Sequence, residues 1–193
     1  GNALGVQTLA RAATASGATL IHYSTDFVFD GTADRPYLET DACRPLSTYG
    51  MSKLLGEWFA LEAPGAYVLR VERLFGGHPA KSSIDKILST IRAGQPVRVF
   101  FDRTVSPSFV DDVALATERV MNERPAPGVY HCVNSGVTTW DGIAKEIAAV
   151  LQRAIAAKPQ SATARIALVR LHLQESDALA ALSAAQDASI ALP

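Results

Sequence analysis

Tyr49 and Lys53 stand four residues apart in Pro45 to Trp58, PLSTYGMSKLLGEW, and this stretch constrains the rest of the chain. On a helix, residues at that spacing lie one above the other on the same face, which brings a phenol and an ammonium close together. A fixed cation favours the phenolate, so a phenol placed this way can give and take a proton nearer neutrality. The preceding sequence supplies a sheet for such a helix to work against. Ala18 to Ser24, ATLIHYS, reads as a short apolar strand running into Thr25-Asp26-Phe27-Val28-Phe29-Asp30-Gly31. In an open α/β sheet ligands bind beyond the carboxyl ends of the strands, where Thr25 would project its hydroxyl. Hydroxyl, phenol and lysine then converge on one oxygen. A Tyr and a Lys at this spacing also recur by chance, so the expectation rests on the context rather than on the pair alone.

The remaining chain alternates in the same way. Asn2 to Ser16 reads as an alanine-rich helix with Leu4, Leu9, Ala12 and Ala13 inward, closed by Gly17. The Gly, Pro and Asp content of Phe29 to Pro45 marks a loop, and the helix after it carries Met51, Leu54, Leu55, Trp58 and Phe59 on one packing stripe until Pro64-Gly65. Ala66 to Phe75 reads as a buried strand, followed by a helix at Ser83 to Ala93 closed by Gly94 and a strand at Val97 to Phe101. Ser108 and Asp111 suggest a capping box opening a helix through Met121, with Val110, Val113, Ala114 and Val120 inward. A strand at Gly128 to Val133 and a helix from Trp140 to Leu151 complete the pattern. The fold class expected is therefore α/β.

Composition excludes some functions. With 48% hydrophobic residues, 19% charged residues and a formal net charge of −1, nothing points to nucleic acid. No run approaches the roughly 18 apolar residues of a membrane span, and no signal peptide is visible, so a cytoplasmic location is expected. Cys43 and Cys132 lie far apart without metal-ligand spacing and read as reduced thiols, with no metal implied.

Four segments together carry a family resemblance. STDFVFDG, the PY.E.D run at Pro36 to Asp41, RPLSTYGMSK, and a strand ending LFGG resemble the extended short-chain dehydrogenase/reductases, the nearest group being the dTDP-4-dehydrorhamnose reductases. The likeness covers about residues 1 to 153. It implies a partial Rossmann-like parallel sheet over 1–77 and a small α/β substrate-binding part over 78–153; the composition of 154–193 separately suggests a helical tail. The activity it implies is NAD(P)H-dependent reduction of a nucleotide-linked 4-keto sugar, in deoxysugar or cell-surface polysaccharide biosynthesis. By the same resemblance Tyr49 donates the proton, Thr25 hydrogen-bonds the carbonyl oxygen, and Lys53 holds Tyr49 acidic. Tyr49 and Lys53 also bind the cofactor, NADP or NAD, through the nicotinamide ribose. Thr25, Asp26, Phe27, Arg73 and Ser106 are the substrate-contact positions this implies, Ser106 opening the segment SPSFVDDVA that lines the cleft, with a turn cap as the alternative for Asp26. Asn2 matches a site-supporting asparagine of the family, with a helix N-cap as the alternative. A homodimer is left open.

Three departures qualify the likeness. The family opens on a strand and a G-x-x-G-x-x-G turn that holds the dinucleotide pyrophosphate, and this chain has no such turn, so an N-terminally truncated sheet is expected. Where the reductases read LRTSWVYG, this chain has Leu69-Arg70-Val71-Glu72-Arg73-Leu74-Phe75-Gly76, with Arg73 in place of a substrate-facing Trp. Its alternative is a solvated or salt-bridged strand residue. From Ala154 the composition turns alanine-rich, and the run about Glu175-Ser176-Asp177 resembles one tetratricopeptide repeat, with Leu168, Ala181, Ala185, Ala188 and Pro193 at characteristic positions. A plain helical hairpin fits as well, and either could hold a protein partner. Two rival readings stay open: a nucleotide-sugar epimerase or dehydratase of the same superfamily, the dehydratase disfavoured because only Asp26 stands beside Thr25, and a non-catalytic binding or regulatory subunit.

Overall fold

The computed structural model describes residues 1–78, 81–92, 95, 99–100 and 103–157. In chain order the elements are α1 (Leu4–Ser16), β1 (Ile21–Thr25), a short 3-10 helix (Asp26–Val28), α2 (Thr48–Leu61), β2 (Tyr67–Val71) and β3 (Leu74–Phe75). They continue with α3 (Ser83–Arg92), β4 (Thr104–Val105), β5 (Ser108–Phe109), α4 (Val110–Glu123), β6 (Gly128–His131), β7 (Thr138–Thr139) and α5 (Trp140–Ala157). The expected strand at Val97 to Phe101 and the cap at Gly94 fall largely or wholly outside the described residues. So does the repeat-like tail, apart from the end of α5, which runs on to Ala157 rather than stopping at Leu151.

Two units divide the chain, each assembled from two segments. Gly1–Leu74 with Pro107–Ser135 forms the first, and Phe75–Ser106 with Gly136–Pro193 the second. In the first, β2 is the middle strand of a parallel sheet ordered β1-β2-β6, with Ile21 opposite Tyr67, Thr25 opposite Val71, and Tyr67 opposite Gly128. Its position explains its composition. A strand paired on both sides and covered on both faces reads as a continuous apolar run, and Tyr67, Val68 and Leu69 are all buried.

Small residues set how closely the helices of this unit pack. Ala10 and Ala13 of α1 meet Ala63 and Ala66, and Val6 meets Ala60 and Val68. This corrects the inward face expected of α1, since Leu4 and Leu9 are 71% and 59% exposed and Ala12 also faces out. On α2 the buried positions are Gly50, Leu54, Gly56, Glu57 and Ala60, while Met51 and Trp58 are each 60% exposed and Leu55 is exposed too. The apolar stripe expected to pack is therefore mostly the outward one. Periodicity marks a face of a helix, and it cannot tell which of two apolar faces meets the sheet.

A Cβ added to Gly50 would lie 2.2 Å from the Phe27 carbonyl oxygen, and one added to Gly56 would lie 2.3 Å from the Asn2 carbonyl oxygen. Neither neighbour is the free end of a side chain, so both contacts require glycine. Gly50→Ala is expected to destabilise by about 1–3 kcal/mol through overpacking. Gly5→Ala, where an added Cβ meets nothing within 4 Å, is expected to stabilise by up to about 1 kcal/mol through helix propensity. Chemical denaturation of the two variants checks both signs, and equal effects would mean that α2 does not rest on Phe27.

Three further expectations change in this unit. The strand expected from Ala66 to Phe75 breaks after Val71, because Arg73 takes a left-handed backbone with φ of +45°. The start of α4 is capped at Phe109 rather than Ser108, without a side-chain cap. Ser108 instead lies buried in β5, where its hydroxyl accepts the Asn134 N–H at 3.2 Å, and Asn134 Oδ1 accepts the Phe109 N–H at 2.8 Å. Ala114 of α4 faces solvent, while Val113 is buried.

The second unit has its own core. Ile87, Val105, Trp140, Ile143 and Ala148 cluster with Ile84, Val99, Ile147 and Leu151, and β4 pairs antiparallel with β7. α3 opens on a reciprocal cap, with Ser82 Oγ accepting the Asp85 N–H at 3.0 Å and Asp85 Oδ2 accepting from the Ser82 N–H at 3.0 Å.

Candidate functional site

Everything in the site is arranged around the carboxyl end of β1. Thr25 is the last residue of that strand and caps the short 3-10 helix that follows, its Oγ1 accepting the Phe27 N–H at 3.3 Å. Its hydroxyl also donates to Asp26 Oδ1 at 2.9 Å. Burial pushes the Asp26 carboxyl above its ordinary value, opposed by the Thr25 hydrogen bond and by the charge of Arg73.

α2 brings the other two groups. Ser47 caps it by accepting the Gly50 N–H at 3.0 Å. Lys53 donates its ammonium to the Tyr23 carbonyl, two residues before Thr25, and burial lowers its pKa against the opposing charge of Glu57. Tyr49 lies one turn earlier, its side chain open to solvent, with its ring edge-on to Phe27 at a centroid distance of 6.1 Å and an interplanar angle of 78°. Asn2 does not cap α1, whose N-cap is Ala3; its amide donates to Ser52 Oγ at 3.2 Å, and Ser52 donates in turn to the Tyr49 carbonyl at 2.8 Å.

Arg73 enters the same neighbourhood from the turn after β2. Its guanidinium lies over the Phe27 ring at 5.1 Å from the centroid, and its charge reaches Asp26. Thus Thr25, Asp26, Phe27, Tyr49, Lys53 and Arg73 gather at one end of the sheet in the first unit. Ser106 belongs to the second unit, where its hydroxyl donates to the Gly136 carbonyl at 2.9 Å.

Sequence reading passed over the groups beneath the site. Glu57 and Arg70 form a buried two-pronged ion pair, with Nη2 to Oε2 at 2.7 Å and Nε to Oε1 at 2.9 Å, and relative exposures of 1% and 5%. Arg70 also stacks on Phe29 at 5.0 Å and donates to Cys43 Sγ at 3.1 Å. The signal was one acid in the apolar run LLGEWFA and one base in AYVLRV. Charges of opposite sign in two buried elements need each other. The loop that follows Phe29 is also organised: Tyr37 stacks on Phe29 at 4.3 Å and donates to Asp30 at 2.6 Å, while Arg35 grips Asp41 with two bonds of 2.8 Å.

His22, on β1, has its pKa lowered to about 4 by burial and then by the charge of Lys53, with Glu57 opposing. The unfolded chain takes up this proton near pH 6.5 and the folded one does so only near pH 4, so the His22 contribution is complete above about pH 6.5 and is lost as the pH falls through 4. Because the ring is only half-buried, screening leaves about 1–2 kcal/mol of it. Denaturation midpoints measured from pH 7 to pH 4 should fall less steeply in a His22→Gln variant, and an unchanged slope would remove His22 from the account.

Among the described residues there is no group of three or more His, Cys, Asp or Glu able to hold a metal ion, and no helix is long and apolar enough to cross a membrane.

Comparison with known proteins shows the family and the fold. Residues 1–170 match the family described as the RmlD substrate binding domain. The chain is 37% identical over 158 residues to the dTDP-4-dehydrorhamnose reductase of Burkholderia thailandensis, covering 77% of this chain and 52% of that protein. Identity to the reductase of the same name from Mycobacterium tuberculosis H37Rv is 39% over 152 residues, covering 76% of this chain and 50% of the relative. The crystal structure of dTDP-4-dehydrorhamnose reductase from Bacillus anthracis in complex with NADP superposes with a TM-score of 0.74 at 28% identity, covering 78% of this chain and 53% of that one. The chain spans about half the length of the curated relatives it matches.

Proposed function

We propose, since the chain belongs to the family of RmlD substrate binding domains, that it carries the catalytic groups of an NAD(P)H-dependent reductase acting on a nucleotide-linked 4-keto sugar. The observation that carries the reading is the gathering of Thr25, Tyr49 and Lys53 at the carboxyl end of β1. Tyr49 donates the proton to the sugar oxygen, and Thr25 orients that oxygen. Lys53, anchored to the Tyr23 carbonyl, holds its positive charge one turn from the phenol. The exposed phenol and half-buried ammonium fit the ribose end of a nicotinamide cofactor, which when bound supplies the hydride. The names of the relatives support a place in deoxysugar or polysaccharide biosynthesis, and the cytoplasm is the location this reading assigns to it.

Arg73 tunes the substrate in this reading. A guanidinium over Phe27 favours a different sugar from the one an aromatic side chain would pack against. NADPH oxidation is to be followed with a panel of nucleotide-linked 4-keto sugars. The expected result is turnover with weak activity on dTDP-4-dehydrorhamnose, and a rise of about 10-fold or more in relative kcat/KM for that sugar in Arg73→Trp. Conversion between epimers without net cofactor oxidation would favour the epimerase instead. Failure to turn over any sugar in the panel would count against the reductase reading.

A further inference from the structure

We propose that Asp26 is a positioning residue acting through Thr25: it fixes whether the Thr25 hydroxyl offers the substrate a proton or a lone pair, and Arg73 biases that choice. The catalytic consequence rests on the reductase reading; the hydrogen-bond arrangement does not.

A threonine hydroxyl has one proton and two acceptor positions. An ionised carboxylate only accepts, so the contact of 2.9 Å between Thr25 Oγ1 and Asp26 Oδ1 commits the Thr25 proton to Asp26. The Phe27 N–H, at 3.3 Å, occupies one lone pair. What Thr25 has left is a single lone pair. In this state it can accept from a sugar hydroxyl and cannot donate to a carbonyl oxygen. When the Asp26 carboxyl carries a proton, it can donate to Thr25 Oγ1, which releases the hydroxyl proton toward the site.

The surroundings bear on both states. Burial favours the protonated carboxyl, while the Thr25 hydrogen bond and the Arg73 charge favour the ionised one. The charge that reaches Asp26 is that of Arg73; on α2 the Lys53 ammonium is turned to the Tyr23 carbonyl and the Tyr49 ring lies against Phe27. Carbonyl reduction assisted by Thr25 therefore draws on the protonated form of Asp26. Oxidation of the alcohol draws on the ionised form, in which Thr25 accepts from the alcohol hydroxyl.

Two measurements test this. The first needs no substrate: NMR titration of the Asp26 side-chain carboxyl carbon in the wild type, Thr25→Val, Thr25→Ser and Arg73→Met. Removing the donor or the cation should raise the midpoint in Thr25→Val and Arg73→Met, and the retained hydroxyl of Thr25→Ser should keep it near the wild-type value. An unmoved midpoint in Thr25→Val overturns the proposal. The second is the pH profile of kcat/KM for reduction. The wild type should lose about 10- to 100-fold across a limb that follows the Asp26 titration, the worth of a hydrogen bond to a charged acceptor. That limb should vanish in Asp26→Asn, whose amide does not titrate, and should move upward in Arg73→Met. A limb that survives in Asp26→Asn overturns the proposal as well. If the wild type reduces no keto sugar, the reductase reading falls, and the carboxyl titration still decides this one.

Discussion

Replacing Tyr49 with phenylalanine is expected to lower reductive turnover by roughly 10²- to 10⁴-fold, the contribution of a lost general acid, with little change in KM. The substitution removes one oxygen from a side chain that is 51% exposed. The edge-on contact with Phe27 involves the ring and survives the change. Fold and stability should therefore match the wild type, and circular dichroism with denaturation establishes that before any rate is compared. Steady-state kinetics with the preferred sugar and NADPH gives the answer. Turnover within a factor of a few of the wild type would end the assignment of Tyr49 as the proton donor and leave Thr25 and Lys53 without a reaction to serve.

Glu57→Ala is expected to cost about 3–5 kcal/mol of stability, because it strands the Arg70 guanidinium in a site where only 5% of that residue is exposed. The lost energy is mainly the penalty of an uncompensated buried charge, rather than the net worth of the pair. A double variant, Glu57→Leu with Arg70→Met, should recover most of it, since well-packed apolar groups of similar volume often replace a buried pair at no net cost. Urea denaturation of the three proteins gives the comparison. Should the double variant be no better than the single one, the stacking of Arg70 on Phe29 and its bond to Cys43 would be the larger contribution. The single variant should also disturb chemistry, because Glu57 opposes the pKa lowering of Lys53 by burial.

Much of the architecture was legible because local chemistry and tertiary demand agreed. The apolar run of β2 is what a strand buried on both faces requires, and Tyr49 and Lys53 are held on one helical face by backbone geometry alone. Where the two disagree, local pattern misleads in identifiable ways. Leu4, Leu9, Met51 and Trp58 are large and apolar and so suggest an inward face, whereas close approach of α1 and α2 selects the alanine and glycine positions. Nothing in RVERLF announces a residue with positive φ, so the break of the strand before Arg73 is invisible locally.

The sequence by itself determined the order of the five α-helices among the described residues and of the three strands of the parallel sheet, the strand that leads into Thr25 and the helical phase of Tyr49 and Lys53. These follow from periodicities within a dozen residues, and no distant contact is needed to fix them. Only the tertiary structure decided which partners those groups meet. The bond from Thr25 to Asp26 depends on a rotamer, and the seat of Lys53 on Tyr23 spans 30 residues of chain. Arg73 over Phe27 depends on a turn 46 residues beyond that ring, and Arg70 and Glu57 find each other across 13. Such contacts form because a buried charge or proton must be satisfied by whatever the folded chain brings near, and that choice is made by the packing of whole elements rather than by any local pattern.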